Sequence, residues 1–133
     1  MNCIFCKIIS GEIPARKLYE DGEFIAILDA FPSGAGHSLI IPKAHVDDVL
    51  DMDDALAGRA FALASRLAKK VKAELDCEGV NILQNNREAA GQTVGHFHVH
   101  VIPRHPGDNV TIKWGTTKMH ESEADEVSQR LSF

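Results

Sequence analysis

A chain of 133 residues is one domain's worth at roughly 100–200 residues per domain, which excludes a tandem array. Apolar residues at 44% and charged residues at 25% suffice for a core and exclude disorder over most of the length. Fourteen Lys and Arg against nineteen Asp and Glu leave a net charge of −5, which argues against an electrostatic hold on nucleic acid or anionic lipid, so any phosphate must be gripped locally.

The N-terminal Met-Asn-Cys-Ile-Phe-Cys has neither the charged nor the hydrophobic region of a signal peptide, and no apolar run nears the ~18 residues of a membrane span. A cytoplasmic protein with no membrane or nucleic-acid partner is expected. Three cysteines, Cys3, Cys6 and Cys77, are too few and odd in number for a secreted disulfide framework, so they are expected to remain thiols. A short helix is expected at Ile4–Ile9. Two strands follow, Leu18–Glu20 and Phe24–Leu28, joined at Asp21-Gly22, where Gly tolerates the positive φ of a two-residue hairpin. The third strand is Ser38–Pro42.

Asp47, Asp48, Asp51, Asp53 and Asp54 then crowd the start of one long helix, Asp54–Leu75, with Asp53 as N-cap. Their order does not reproduce a calcium loop and suits a solvated helix N-terminus. Ala57, Ala60, Phe61, Ala64, Leu67, Ala68, Val71 and Leu75 recur at three- and four-residue spacing, which predicts one face buried on the sheet. Val80–Asn85 and Phe97–Pro103 complete five strands, and Glu121–Arg130 is a polar terminal helix. The pattern predicts a single α+β domain over residues 1–133, with a five-stranded, mainly antiparallel sheet, one long helix and short terminal helices.

Seven histidines are unevenly placed. His96, His98 and His100 alternate with Phe97, Val99 and Val101, so on a strand the three imidazoles share one face, ~7 Å apart, while the apolar residues enter the core on the other. Three titratable groups in such a row have no packing purpose. They permit two chemistries: a zinc held by three imidazoles with an open position for water, or one nucleophilic His oriented by its neighbours. Immediately upstream, Gly91-Gln92-Thr93-Val94-Gly95 offers an amide, a hydroxyl and backbone donors to a phosphate without adding positive charge. That suits a neutral imidazole attacking phosphorus.

His96-Phe97-His98-Val99-His100-Val101-Ile102 resembles the His-φ-His-φ-His-φ-φ signature of the histidine triad superfamily of nucleotide hydrolases and transferases. The resemblance covers about residues 1–104, through Ile4-Phe5-Cys6-Lys7-Ile8-Ile9, Glu12-Ile13-Pro14, Asp29, Gly36-His37-Ser38-Leu39-Ile40-Ile41-Pro42-Lys43 and Gly91-Gln92-Thr93. The variable tail, 105–133, is only loosely similar to bacterial-type members. The resemblance implies cleavage at the α-phosphate of a purine nucleoside phosphoramidate or dinucleoside polyphosphate through a nucleotidyl-histidine, and a homodimer. By position His98 is the implied nucleophile, with its Nδ1 bonded to a backbone carbonyl. His100 is implied to stabilise charge and donate a proton, and His96 and His37 to orient the row. Asp29 matches the ribose-binding carboxylate, Asn85 a sugar-phosphate contact, Gly91, Gln92 and Thr93 the phosphate loop, and Phe5, Ile8 and Ile27 the walls around the base. A zinc-dependent phosphohydrolase and a nucleotide-binding or interaction module with little turnover remain as alternatives.

Cys3-Ile4-Phe5-Cys6 alone is ambiguous between metal site, redox motif and buried filler. Some members of the superfamily combine such a pair with Ile-Pro-Lys-x-His and bind structural zinc, and this chain has Ile41-Pro42-Lys43-Ala44-His45. The resemblance thus implies a site of Cys3, Cys6, His45 and His96. Cys77 is expected to be an inert semi-buried thiol, His105 and His120 to be surface residues, and Trp114 either to pack at a subunit interface or to lie in the core or exposed.

Overall fold

The computed structural model describes residues 2–133. In chain order the elements are α1 (Ile4–Ile9), β1 (Lys17–Glu20), β2 (Phe24–Leu28), β3 (Ser38–Pro42), α2 (Asp54–Leu75), β4 (Gly79–Gln84), β5 (Val99–Arg104) and α3 (Glu121–Leu131), with single 3-10 turns at Val49–Asp51 and Glu88–Ala90. The five strands form one sheet in the order β1-β2-β3-β5-β4. Every pairing is antiparallel. The protein is therefore α+β, as the apolar runs predict. Among the described residues no helix is long and apolar enough to cross a membrane.

Strands β2 and β3 read as continuous apolar runs because both faces of the sheet are covered there. Phe24, Ala26, Ile40, Val99 and Val101 pack under α2 with Ala60, Ala64 and Val71. Ile25, Ile27, Leu39 and Ile41 face the other way, onto Phe5 and Ile8 of α1. His100 lies opposite Leu39 in the β3–β5 ladder, so it shares the α1 side. The candidate site is consequently on the thinly covered face, where one short helix leaves room for a ligand.

Asp53 caps α2 as predicted, its carboxylate accepting from Leu56 N at 3.3 Å. The buried stripe, however, is shifted. Leu63 is buried while Phe61 is 60% exposed and Leu75 43% exposed, because the inward face runs through Ala60, Leu63, Ala64 and Val71. The β1–β2 hairpin also differs from the expected two-residue turn. Three residues separate the strands, and Asp21 closes the loop by accepting from Glu23 N (2.7 Å) and Phe24 N (2.8 Å). The carboxylate does the work assigned to Gly22, whose φ is not positive. Strand β5 begins at Val99 rather than Phe97, since Phe97 N bonds to Val46 O (2.7 Å) outside the sheet ladders. Strand β4 ends at Gln84, leaving Asn85 in the following loop. Cys77 is fully buried, and His105, His120 and Trp114 are exposed.

Candidate active site and metal centre

The residues leading into β5 place the histidine row. His98 Nδ1 lies 2.8 Å from the carbonyl oxygen of His96. A carbonyl can only accept, so Nδ1 carries the proton and Nε2 keeps a free lone pair. His37, just before β3, lies across from His100, with its Nε2 2.9 Å from His100 Nδ1. Ser33 N donates to His37 Nδ1 at 3.0 Å. In neutral His37 the proton is then on Nε2 and is donated to His100 Nδ1, which leaves a His100 Nε2–H as the outward donor. The backbone thus sets two adjacent imidazoles in opposite roles, a bare nitrogen on His98 and an N–H on His100. Their ring centroids are 5.0 Å apart.

Burial favours the neutral form of each ring. It lowers the His98 pKa, against the pull of the His96 carbonyl, and it lowers that of His37, against Asp29. His100 is pushed down to about 4, by burial first and then by His98 and His37. Near neutral pH the row is uncharged and able to act as nucleophile and hydrogen-bond donor. Asp29, His37 and His100 also lie close enough to hold a metal ion. Their hydrogen bonding argues for a proton relay instead, because both nitrogens of His37 are already committed.

A cavity of about 690 Å³ opens onto His98 and His100, walled by Phe5, Ile8, Ile27, Asp29 and Thr93. Phe5 stands edge-on to His98 with centroids 5.0 Å apart. Apolar wall residues with a few convergent polar groups make a typical small-molecule site. Asp29 serves as the start of a turn, its Oδ1 accepting from Phe31 N (2.9 Å), while Oδ2 lies 3.5 Å from His37 Nε2. Asp29 is thus a turn former that also lines the pocket.

The upstream loop departs from expectation. Asn85, Gly91 and Gln92 do not line the cavity, whereas Thr93 and Val94 do. Gln92 accepts from Arg87 N (2.6 Å) and donates to Asp47 O (2.6 Å) and Val94 O (3.0 Å), so its amide is spent within the protein. Asn85 reaches back to Gly91 O at 3.5 Å. Of the expected loop donors, Thr93 is the one that the fold delivers to the pocket.

Behind the row a second cluster forms. Cys3 at the N-cap of α1, Cys6 within it, His45 after β3 and His96 before β5 bring their ligand atoms within 4.8 Å of one another. His96 Nδ1 is 3.4 Å from Cys3 Sγ and 3.6 Å from Cys6 Sγ, and His45 Nδ1 is 3.4 Å from Cys6 Sγ. Each imidazole is pinned from its far side: His96 Nε2 to Pro42 O (2.8 Å) and His45 Nε2 to Asp47 Oδ1 (2.9 Å). That places the Nε2–H on each ring outward and turns both Nδ1 lone pairs toward the thiols, the second-sphere arrangement of metal-binding histidines. The donor spacing fits a tetrahedral ion, for which bonds of about 2.0–2.3 Å put donors roughly 3.3–3.8 Å apart. Burial, then Cys3, raises the Cys6 pKa, and a divalent cation would reverse that by binding the thiolate. The four residues could hold a metal. His96 belongs to this cluster, so the three imidazoles of the row do not converge on one point.

Sequence reasoning missed three partners. Ser33 fixes the His37 tautomer; Pro32 and Gly34 signal the turn that holds it, but not the contact with His37. Asp47 was grouped with the helix-start acids, although its position two residues after His45 is a usable signal. Pro42 O is a backbone group and leaves no sequence trace.

The HIT domain description matches residues 10–107. "Protein hit" of Bacillus subtilis is 45% identical over 86% of this chain and 80% of its own length. The adenosine 5'-monophosphoramidase of Schizosaccharomyces pombe is 36% identical, with 99% of this chain and 97% of that protein covered. A HIT family crystal structure from Bacillus subtilis superposes with a TM-score of 0.92 at 39% identity, covering 98% of this chain and 95% of the other. A zinc-bound histidine triad protein from Mycobacterium smegmatis has a TM-score of 0.79 at 40% identity, with 88% and 85% covered. With the fold, the histidine row and the family match in agreement, this chain belongs to the HIT family.

Proposed function

We propose that the protein hydrolyses a purine nucleoside phosphoramidate or dinucleoside polyphosphate at the α-phosphate, with His98 as nucleophile. The observation that carries this reading is the 2.8 Å contact from His98 Nδ1 to the His96 carbonyl, which leaves a neutral Nε2 lone pair at the pocket. In the first step Nε2 forms a bond to the α-phosphorus as the bond to the leaving group breaks; the neutral His100 donates an Nε2–H hydrogen bond to the departing atom, which takes its proton from solvent. In the second, water attacks the nucleotidyl-imidazole. Its proton passes to solvent, and breaking the N–P bond releases His98 neutral with Nδ1 still protonated. Asp29 binds the ribose hydroxyls, Thr93 a phosphate oxygen, and Phe5, Ile8 and Ile27 the base. The phosphoramidase name of the fission yeast relative supports the substrate class.

Zinc is the metal that two thiolates and two imidazoles suit best, and the zinc-bound mycobacterial neighbour supports that choice. Cys3, Cys6, His45 and His96 would hold it as a structural ion that ties α1 to the segments before and after β3 and β5. A second copy is the proposed partner, seated against the exposed Trp114, Val127 and Leu131 of the tail.

The test is rapid acid-free quenching of enzyme and substrate followed by peptide mass analysis. A nucleotidyl mass is expected on the His98 peptide, and His98→Ala is expected to lower kcat by several orders of magnitude while nucleotide affinity persists. An adduct on another residue, or turnover by His98→Ala at the wild-type rate, refutes the mechanism. Nucleotide binding without turnover by the wild type would favour a binding module.

A further inference from the structure

Gln92 immediately precedes the residues that line two neighbouring cavities. Thr93, Val94 and Ile4 line both the histidine pocket and a second cavity of about 550 Å³, which also touches Cys3, His45 and Asp47 at the mouth of the thiol cluster. The partition is thus the two residues after Gln92 and the first residue of α1. The Gln92 amide joins the parts of that partition. Through Asp47 O it holds the segment whose side chain pins His45, and through Val94 O it holds the pocket wall. Its oxygen accepts from Arg87 N, where the backbone has a φ of +74 that a non-glycine residue rarely takes. Arg87 Nε in turn reaches the buried Asp48 carboxylate (2.9 Å), and Val49 N donates to Asn86 Oδ1 (2.8 Å). The amide nitrogen has two acceptors and the amide oxygen one donor, all within the protein.

We infer that Gln92 is a positioning residue, not a phosphate ligand, and that it couples the Cys3–Cys6–His45–His96 centre to the nucleotide pocket so that metal and nucleotide bind with positive linkage. The inference rests on the proposed metal and nucleotide sites. Ordering the 45–49 segment around an ion fixes Asp47 O, which fixes Gln92 and with it Thr93 at the pocket wall. Linkage is reciprocal, so a nucleotide that orders Thr93 must hold the ion more tightly by the same factor.

The experiment uses the zinc-loaded full chain, with zinc affinity by competition with a chromogenic chelator and AMP affinity by calorimetry as independent readouts. Saturating AMP is expected to tighten zinc about fivefold or more, read from the equilibrium division of zinc between protein and chelator and at the lower end for coupled sites, and stripping zinc to weaken AMP binding by the same factor. This wild-type comparison needs no variant. In Gln92→Ala, and in Gln92→Glu, which keeps the acceptor and loses both donors, zinc should be held less tightly and AMP should no longer protect the ion. AMP affinity weakened with its protection of zinc intact would overturn the inference in favour of a direct phosphate contact. Equal zinc affinity with and without AMP in the wild type would overturn it outright. Zinc content and AMP binding are read separately, so a chain without zinc defeats the metal reading, and a zinc-loaded chain that ignores AMP defeats the nucleotide reading; either also defeats the linkage.

Discussion

Every imidazole around the pocket has one nitrogen committed to a neighbour, and that commitment decides what the other nitrogen can do. A carbonyl behind His98 frees a lone pair, while a backbone N–H behind His37 ends, one ring later, in an N–H on His100. Asp29 divides itself in the same way, with one oxygen given to the Phe31 turn and the other facing His37. If that second oxygen accepts from the ribose diol, Asp29→Ala should weaken ribonucleotide binding by about 1.5–3 kcal/mol, the range for hydrogen bonds to charged groups. Calorimetry with ribo- and 2′-deoxyribonucleotides checks this, and an unchanged preference for ribose in the variant would remove Asp29 from the sugar site. Asp29→Asn, which keeps an acceptor for Phe31, separates the turn from the charge. Residues of this kind differ in how much of their position the sequence carries. His98 and His100 were legible because a period of two is a local property. The spent amide of Gln92 was not, since its partners Asp47 and Val94 are assembled by tertiary structure.

At the level of elements, the apolar runs and the alanine-rich helix located β2, β3, β5 and α2 because each buries an apolar face, and the turn residues Asp21 and Gly22 located the exposed edge strand β1. What escaped were the places where a side chain or a remote backbone group overrides the local pattern: the Asp21 carboxylate in the hairpin, the Val46 carbonyl that delays β5, and the rotated face of α2. One junction is unusually intolerant. Gly36, just ahead of His37, has a φ of +94, and a Cβ there would overlap the Leu75 side chain at the end of α2 and press on Pro103 of β5 at 3.1 Å. Gly36→Ala is expected to cost about 2–3 kcal/mol, combining ~1–2 kcal/mol for a left-handed backbone with overpacking. Urea denaturation measures the loss. Because the strain adjoins His37, the variant should also lose activity beyond what its unfolded fraction explains; full specific activity in the folded fraction would show that the relay tolerates the shift.

The whole molecule holds its histidine row neutral by burial, and that has a cost in acid. His37 and His100 have folded pKa values below 6.5, His100 about 4, so below 6.5 the unfolded chain binds more protons than the native one. Their contribution is fully present above pH 6.5 and is lost as pH falls from there toward about 4, with a slope of up to about 1.4 kcal/mol per pH unit for each ring. Urea midpoints between pH 7 and 5 should decline, and His100→Asn should flatten the decline; an unchanged profile in that variant would mean that His100 is not the source. The strand order gives the same assembly a history. Cys3 and His96 are 93 positions apart, and β5 is inserted between β3 and β4. On a ribosome the β1–β2–β3 meander can therefore form early, with the inner edge of β3 unpaired, the apolar face of Ile25 and Leu39 incompletely covered and both N-terminal thiols free. Neither the relay nor the thiol cluster exists until His100 has emerged and slid into the gap, so this chain has nothing to offer a nucleotide or an ion until synthesis of its core is finished.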